Sequence, residues 1–122
     1  MSARYVDGEL QFATCHTVTA NTIEVAVRPV LDSDEVQTVW LLEGEARVRP
    51  GDTFLLGQDV EGMTTVQDEV LMPDAHHVFF TIGFRDKHGE YGDVRTARFT
   101  VSDIREGEWT RSDGTRGEEP CE

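Results

Sequence analysis

"VFFTIGFRDKHGEYGDVRTARFTV", residues Val78 to Val101, consists of two runs in which apolar and polar residues alternate, joined by a charged, glycine-containing tip. In the first run Val78, Phe80, Ile82 and Phe84 fall on one side; in the second Ala97, Phe99 and Val101 do. A period of two is the mark of a strand with one face buried, so the stretch predicts a hairpin whose two inner faces share a core. The runs are separated by about nine residues, too many for a two-residue primed turn and suited to a longer hairpin loop. Gly89 and Gly92 are ordinary turn residues there. Asp86, His88, Glu90 and Asp93 offer oxygens and a nitrogen to a cation, but not in the D-x-[DN]-x-[DN]-G order of an EF-hand loop. The tip reads as a solvated turn, with an ion site as the alternative.

Outward from this hairpin the same alternation recurs. It appears in "TIEVAV" through Ile23, Val25 and Val27, in "ELQFAT" through Leu10 and Phe12, in "VQTVWLL" around Trp40, and in "EARV" through Ala46 and Val48. Turn signals separate the runs: "DSD" at Asp32 to Asp34, Gly44, "RPGD" at Arg49 to Asp52, Gly62 and Pro73. No window repeats apolar residues at three and four over three turns, so no long helix is expected. About seven short strands with closely spaced turns predict an all-β chain, a single immunoglobulin-like β-sandwich over residues 1–101. The final hairpin, an alternating strand, then "RDKHGEYGD", then "RTARFTV", resembles the last two strands of sandwiches of the PKD and fibronectin type III kind. That resemblance implies two packed sheets with Trp40 as a core aromatic. The sheet-bridging cysteine pair and the corner tyrosine of antibody domains have no counterpart.

Charge describes the medium. The chain has 122 residues, with 11 basic and 24 acidic side chains and a net charge of −13. Lys87 is its single lysine, and acids run from Asp7 to Glu122. Such a chain repels phosphates and anionic lipid, which excludes nucleic acid and membrane surfaces as expected partners. The spread of carboxylates with almost no lysine resembles the proteins of extreme halophiles, kept soluble where salt screens self-repulsion. The opening "MSARYVDGEL" carries no apolar segment after a basic one, so synthesis in the cytoplasm without a signal peptide is expected. Cys15 and Cys121 sit in no CxxC spacing; a disulfide framework is not indicated, and one long-range bridge, within the chain or between subunits, stays open.

After Val101 the pattern changes. "SDIREGEWTRSDGTRGEEPCE", residues 102–122, has Ile104 and Trp109 as its large apolar residues among charges and glycines, the composition of an irregular acidic tail. Trp109, with Ile104, is the natural anchor for a neighbouring subunit, since Trp joins large apolar area to one donor. The alternative is that the tail folds back on its own domain.

Motifs of catalysis are missing. Ser2, Ser33, Ser102, Ser112 and the cysteines stand in no nucleophile elbow, and no phosphate-binding glycine motif occurs. His16, His76, His77 and His88 invite zinc, but neighbours on a strand point to opposite faces, so neither Cys15 with His16 nor His76 with His77 readily supplies two ligands. "LLEGEARVRPGDTFLLG" with "VLMPDAHHVF" is similar to pieces of cupin barrels, which implies a small-molecule or metal-binding barrel as a second reading, although the HxH and glutamate ligands of that family are not matched. The reading favoured by the sequence is a non-catalytic protein with no cofactor: a structural or interaction subunit of a larger assembly, such as a decoration, neck or tail-associated virion protein of a virus of a halophile. Its partners would be protein subunits, its own or others, reached through the tail. A cytoplasmic adaptor domain is the third reading.

Overall fold

A computed structural model describes residues 1–28, 36–67, 76–85 and 91–121. Among them the chain forms ten strands: β1 (Ser2–Val6), β2 (Glu9–Ala13), β3 (Val18–Arg28), β4 (Gln37–Val48), β5 (Thr53–Leu55), β6 (Met63–Gln67), β7 (His77–Arg85), β8 (Tyr91–Thr100), β9 (Trp109–Arg111) and β10 (Arg116–Gly117). They pair antiparallel in two sheets of five, ordered β10-β9-β1-β2-β5 and β6-β4-β3-β7-β8. The fold is an all-β sandwich, not a closed barrel, and this overturns the cupin-like reading.

The quoted hairpin is β7 and β8, in the register that alternation predicts. Val78 pairs with Phe99, Phe80 with Ala97 and Ile82 with Arg95. Val78, Phe80 and Ile82 are fully buried, as are Ile23, Val25 and Val27 on the adjacent β3. Across the gap the first sheet contributes Leu10, Phe12 and Phe54. Phe12 stacks on Phe80 with ring centroids 4.6 Å apart and planes 9° from parallel, and Phe54 and Phe99 tilt against this pair. Offset and tilted rings of this kind add about 0.5–1.5 kcal/mol per pair to the gain from burial alone.

Trp40 enters the core through an irregularity. Val25 pairs with Trp40, yet the next residue, Ala26, pairs with Thr38, which leaves Val39 as an extra residue on β4. Such a bulge lets two successive side chains escape strict alternation. Val39 and Trp40 are both buried, at 0% and 1% exposure. Farther along β4, Gly44 (φ 151°) lies against Gly62 (φ 86°), and Glu45 N–H donates to the Gly62 carbonyl at 3.0 Å. A β-carbon on either glycine would press into the other segment's backbone, so both positions require the missing side chain.

The segment after Val101 differs from the irregular tail expected of it. A short 3-10 turn at Val101–Asp103 leads Ile104 into the core at 6% exposure. The chain then runs beside β1, where Tyr5 N–H donates to the Arg105 carbonyl and Gly107 N–H to the Tyr5 carbonyl, both at 2.9 Å. β9 pairs with β1 through Ser2–Arg111 and Ala3–Thr110, and β10 closes a hairpin on β9. Finally Cys121 forms a disulfide with Cys15, 106 residues away in sequence. Apolar content undersold this segment: its backbone fills the open edge of β1, and a sheet edge is satisfied by main-chain groups whatever side chains they carry.

Candidate functional site

The two sheets turn very different outer faces to solvent. On the first sheet, Ala3 and Phe12 point inward, so Ser2 and its cross-strand neighbour Ala13 point outward, yet both are 0% exposed. The returning chain accounts for this. Ser112 N–H donates to the Met1 carbonyl at 2.9 Å, Arg111 Nη2 donates to the Glu119 carbonyl at 3.0 Å, and the disulfide fixes Cys121 at the end of β2. Residues 118–121 thus form a strap over this end of the face. Trp109 lies on the same outer side, 2% exposed, with the Arg4 guanidinium 4.4 Å from its ring centre. Arg4 is held in turn by Gln11, Nε to Oε1 at 2.8 Å. Trp109 and Ile104, the residues expected to anchor a partner, are therefore both buried within their own chain, Ile104 between the sheets and Trp109 beneath Arg4.

On the second sheet nothing comparable covers the outer face among the described residues. Its outward side chains, read from the register, run in rows across the strands. One end carries Arg28, His77 and Thr100; then come Thr38, Ala26, Phe79 and Arg98; then Leu41, Glu24, Thr81 and Thr96; and the far end has Thr64, Glu43, Thr22, Gly83 and Val94. Val66 on β6 and Val94 on β8 are 54% and 49% exposed. These rows carry charges of both signs, Glu24 and Glu43 with Arg28 and Arg98, and beyond Glu43 the strand continues to exposed Arg47, opposite Thr19.

The basic end is the most built part of that face. The Arg28 guanidinium sits 5.6 Å from the centre of the Phe79 ring, and His77 packs edge-on to His76 at 4.3 Å and beside Phe79 at 6.4 Å. His77 Nδ1 and Arg28 Nε are shut off from solvent and have no hydrogen-bond partner among the described residues. Burial, followed by the nearby His76, Arg98 and Arg28, holds the His77 imidazole below its ordinary pKa, since every neighbour opposes a further positive charge.

Among the described residues two hollows stand out. The larger, about 760 Å³, is an exposed cleft where Phe54 and Val48 lie beneath Glu45, Asp52, Asp59 and Glu61, with Arg47 among them. The smaller, about 360 Å³, brings His16 together with Met1, Arg95 and Ser112. His16 and the His76–His77 pair thus lie on different parts of the molecule, and Cys15 is occupied by its disulfide. Among the described residues no three His, Cys, Asp or Glu side chains converge on a metal position. Of the hairpin tip, Asp86, His88 and Glu90 lie outside the described residues.

No protein-family model, curated protein or solved structure matches this chain. Function must therefore be argued from the faces themselves. The sequence showed the strands but not this contrast between them. Phe79, Thr81, Arg98 and Glu24 are legible as the polar or outward half of each alternation, and their outward position is the signal that would have drawn attention to the face.

Proposed function

We propose that the protein is a non-catalytic structural subunit of a larger assembly, an immunoglobulin-like module of the PKD and fibronectin type III kind carried on a virion of a virus that infects a halophile. The module reading is supported by the order β3-β7-β8, which corresponds to the C, F and G strands of immunoglobulin-like sandwiches, with the resembling hairpin as F and G. The observation that carries the functional reading is the outer face of the second sheet: long strands presenting threonine, valine, leucine and phenylalanine with charges of both signs, on a chain whose net charge is −13. A face that mixes apolar and hydroxyl side chains with charges of both signs is one on which an acidic subunit can meet a partner without setting carboxylate against carboxylate throughout.

The long-range disulfide favours a particle over the third reading, a cytoplasmic adaptor, because disulfides persist on virions and cell surfaces and are rare in reducing cytoplasm. The test is fractionation at molar KCl of the cells or culture that produce the protein. It is expected to travel with a particle of fixed composition and in fixed stoichiometry to the other subunits. Recovery wholly as free chain, with no particle retaining it, would overturn the assembly reading.

A further inference from the structure

We infer that residues 118–121 and the Cys15–Cys121 bridge form a redox latch: a dithiol that reduces the bridge releases the strap and uncovers Ser2, Ala13 and Arg111 on the outer side of the first sheet, while β9 keeps its place on β1. The inference goes beyond the assembly reading and stands without it.

Two observations carry it. The first is how unequally the returning chain is held. Ile104 is in the core, Trp109 lies under Arg4, Tyr5 shares backbone hydrogen bonds with Arg105 and Gly107, and Ala3 pairs with Thr110. The strap has none of this. Glu118 and Glu119 are exposed, and Pro120 and Cys121 are half-buried. Apart from the bridge, one solvent-exposed hydrogen bond holds these residues among those described, from Arg111 Nη2 to the Glu119 carbonyl at 3.0 Å. Cys15 Sγ and Cys121 Sγ lie 3.4 and 3.7 Å from the Pro120 and Thr14 carbonyl oxygens, but the sulfurs of a disulfide have no proton to donate. A single bond of this kind, exchanged for bonds to water, does not offset the entropy of ordering four residues.

The second observation lies beneath the strap. Ser2 and Arg111 are cross-strand partners on β1 and β9. Ser2 Oγ and Arg111 Nε are both shut off from solvent and have no hydrogen-bond partner among the described residues. Burying a polar group unpaired costs stability, and hydration on opening returns it. The covalent bond therefore holds the strap closed against a gain in hydration.

The step is thiol–disulfide exchange. A thiolate of the dithiol attacks one sulfur of the bridge, forming a mixed disulfide and expelling the other cysteine as a thiolate, which takes up a proton. The second thiol of the reductant, deprotonated in turn, displaces the remaining cysteine. The chain gains two electrons and two protons, and the dithiol becomes a cyclic disulfide. Both cysteines are only half-buried, within reach of a small thiol. A reducing compartment thus opens the strap and an oxidising one closes it.

The test is NMR of the isotope-labelled full chain at molar KCl, oxidised and after reduction with dithiothreitol. On reduction the heteronuclear NOEs of Glu118, Glu119 and Cys121 are expected to fall to those of a flexible segment. A water-soluble paramagnetic agent is expected to broaden the Ala13 methyl signal, which is shielded in the oxidised chain. Ile104 to Thr110 are expected to stay rigid, and C15S/C121S to behave as the reduced chain does, without reductant. Ser2→Ala removes the hydroxyl that opening hydrates, so its bridge is expected to be harder to reduce. At a fixed ratio of dithiothreitol to its cyclic disulfide, the ratio of reduced to oxidised chain should fall about tenfold.

A strap that stays rigid after reduction overturns the latch, because something other than the bridge then holds it. Reduction that also loosens Ile104 to Thr110 marks a structural staple and overturns it equally. So does a Ser2→Ala chain whose bridge reduces as readily as that of wild type. Each of these results leaves the assembly reading, which fractionation tests, where it stood.

Discussion

The first sheet is made of short strands, five residues or fewer, and the second is built mainly on strands of nine to twelve. The short-stranded sheet is the one whose outer face is covered at one end: the chain returns there, buries Trp109 under Arg4 and reaches a disulfide at Cys15, just past β2. The long-stranded sheet has the larger face and no such cover among the described residues, leaving Val66 and Val94 about half exposed. The difference teaches where the molecule spends its few apolar residues beyond the core. Within the C-terminal segment they secure the fold; on β4, β6, β7 and β8 they stand on the outer face.

The largest expected effect breaks the closed face. Opening the Cys15–Cys121 bridge, by reduction or as C15S/C121S, releases a span of 106 residues, and chain entropy for a loop near that length puts the loss at about 4–5 kcal/mol. Denaturant titrations of the oxidised and reduced chain measure it. Equal midpoints would show that the strap does not hold the fold.

A matched pair of truncations sharpens the same contrast. Trp109→Ala removes a ring at 2% exposure and is expected to cost ~3–5 kcal/mol. Phe79→Ala, on the outer face of the second sheet, should cost well under half as much in thermal or chemical unfolding. If both truncations cost the same, the two faces are equally part of the core and the distinction fails.

Salt acts on both faces through the whole charge. As KCl rises from about 0.1 M to about 1 M the Debye length shrinks from roughly 10 Å to 3 Å, and the melting temperature is expected to climb by several degrees as repulsion among carboxylates fades. A flat or falling curve would remove the halophile reading.

The smallest effect is local to His77. Its folded-state pKa is lowered, so below the ordinary value of about 6.5 the unfolded chain binds a proton that the folded chain resists. The stability this site contributes is therefore present above about pH 6.5 and is lost as pH falls from there through the lowered folded-state pKa. The neighbours that set the sign are His76, Arg98 and Arg28, all positive or able to become so. Comparing unfolding of wild type and His77→Gln between pH 8 and pH 5 checks it; parallel curves would show that His77 charges freely in the folded state.

Alternation alone placed the core of the second sheet, and reading Phe80, Ile82 and Phe99 as inward residues required no tertiary information because side chains on a strand alternate without exception until a bulge intervenes. The bulge at Val39 was not legible, since nothing in "VQTVWLL" marks which residue is the extra one. Ten strands rather than about seven came from short pieces, β5, β9 and β10, whose two or three residues are too few to show a period. As for the candidate face, each outward residue was visible singly, but their joining into one surface depends on which strands become neighbours.

By itself the sequence determined an all-β chain, the hairpin and its inward residues, and the acidic balance that bears on medium and partners, because period and charge are additive properties of local residues. Tertiary structure alone decided three things: that residues 102–121 complete the first sheet, that Cys15 meets Cys121, and that Arg28, Phe79, Glu24 and Glu43 share one face. Each of these joins residues far apart in the chain. Contacts of that kind are fixed by sheet edges seeking partners and by packing across the sandwich, for which a linear pattern carries no period to read.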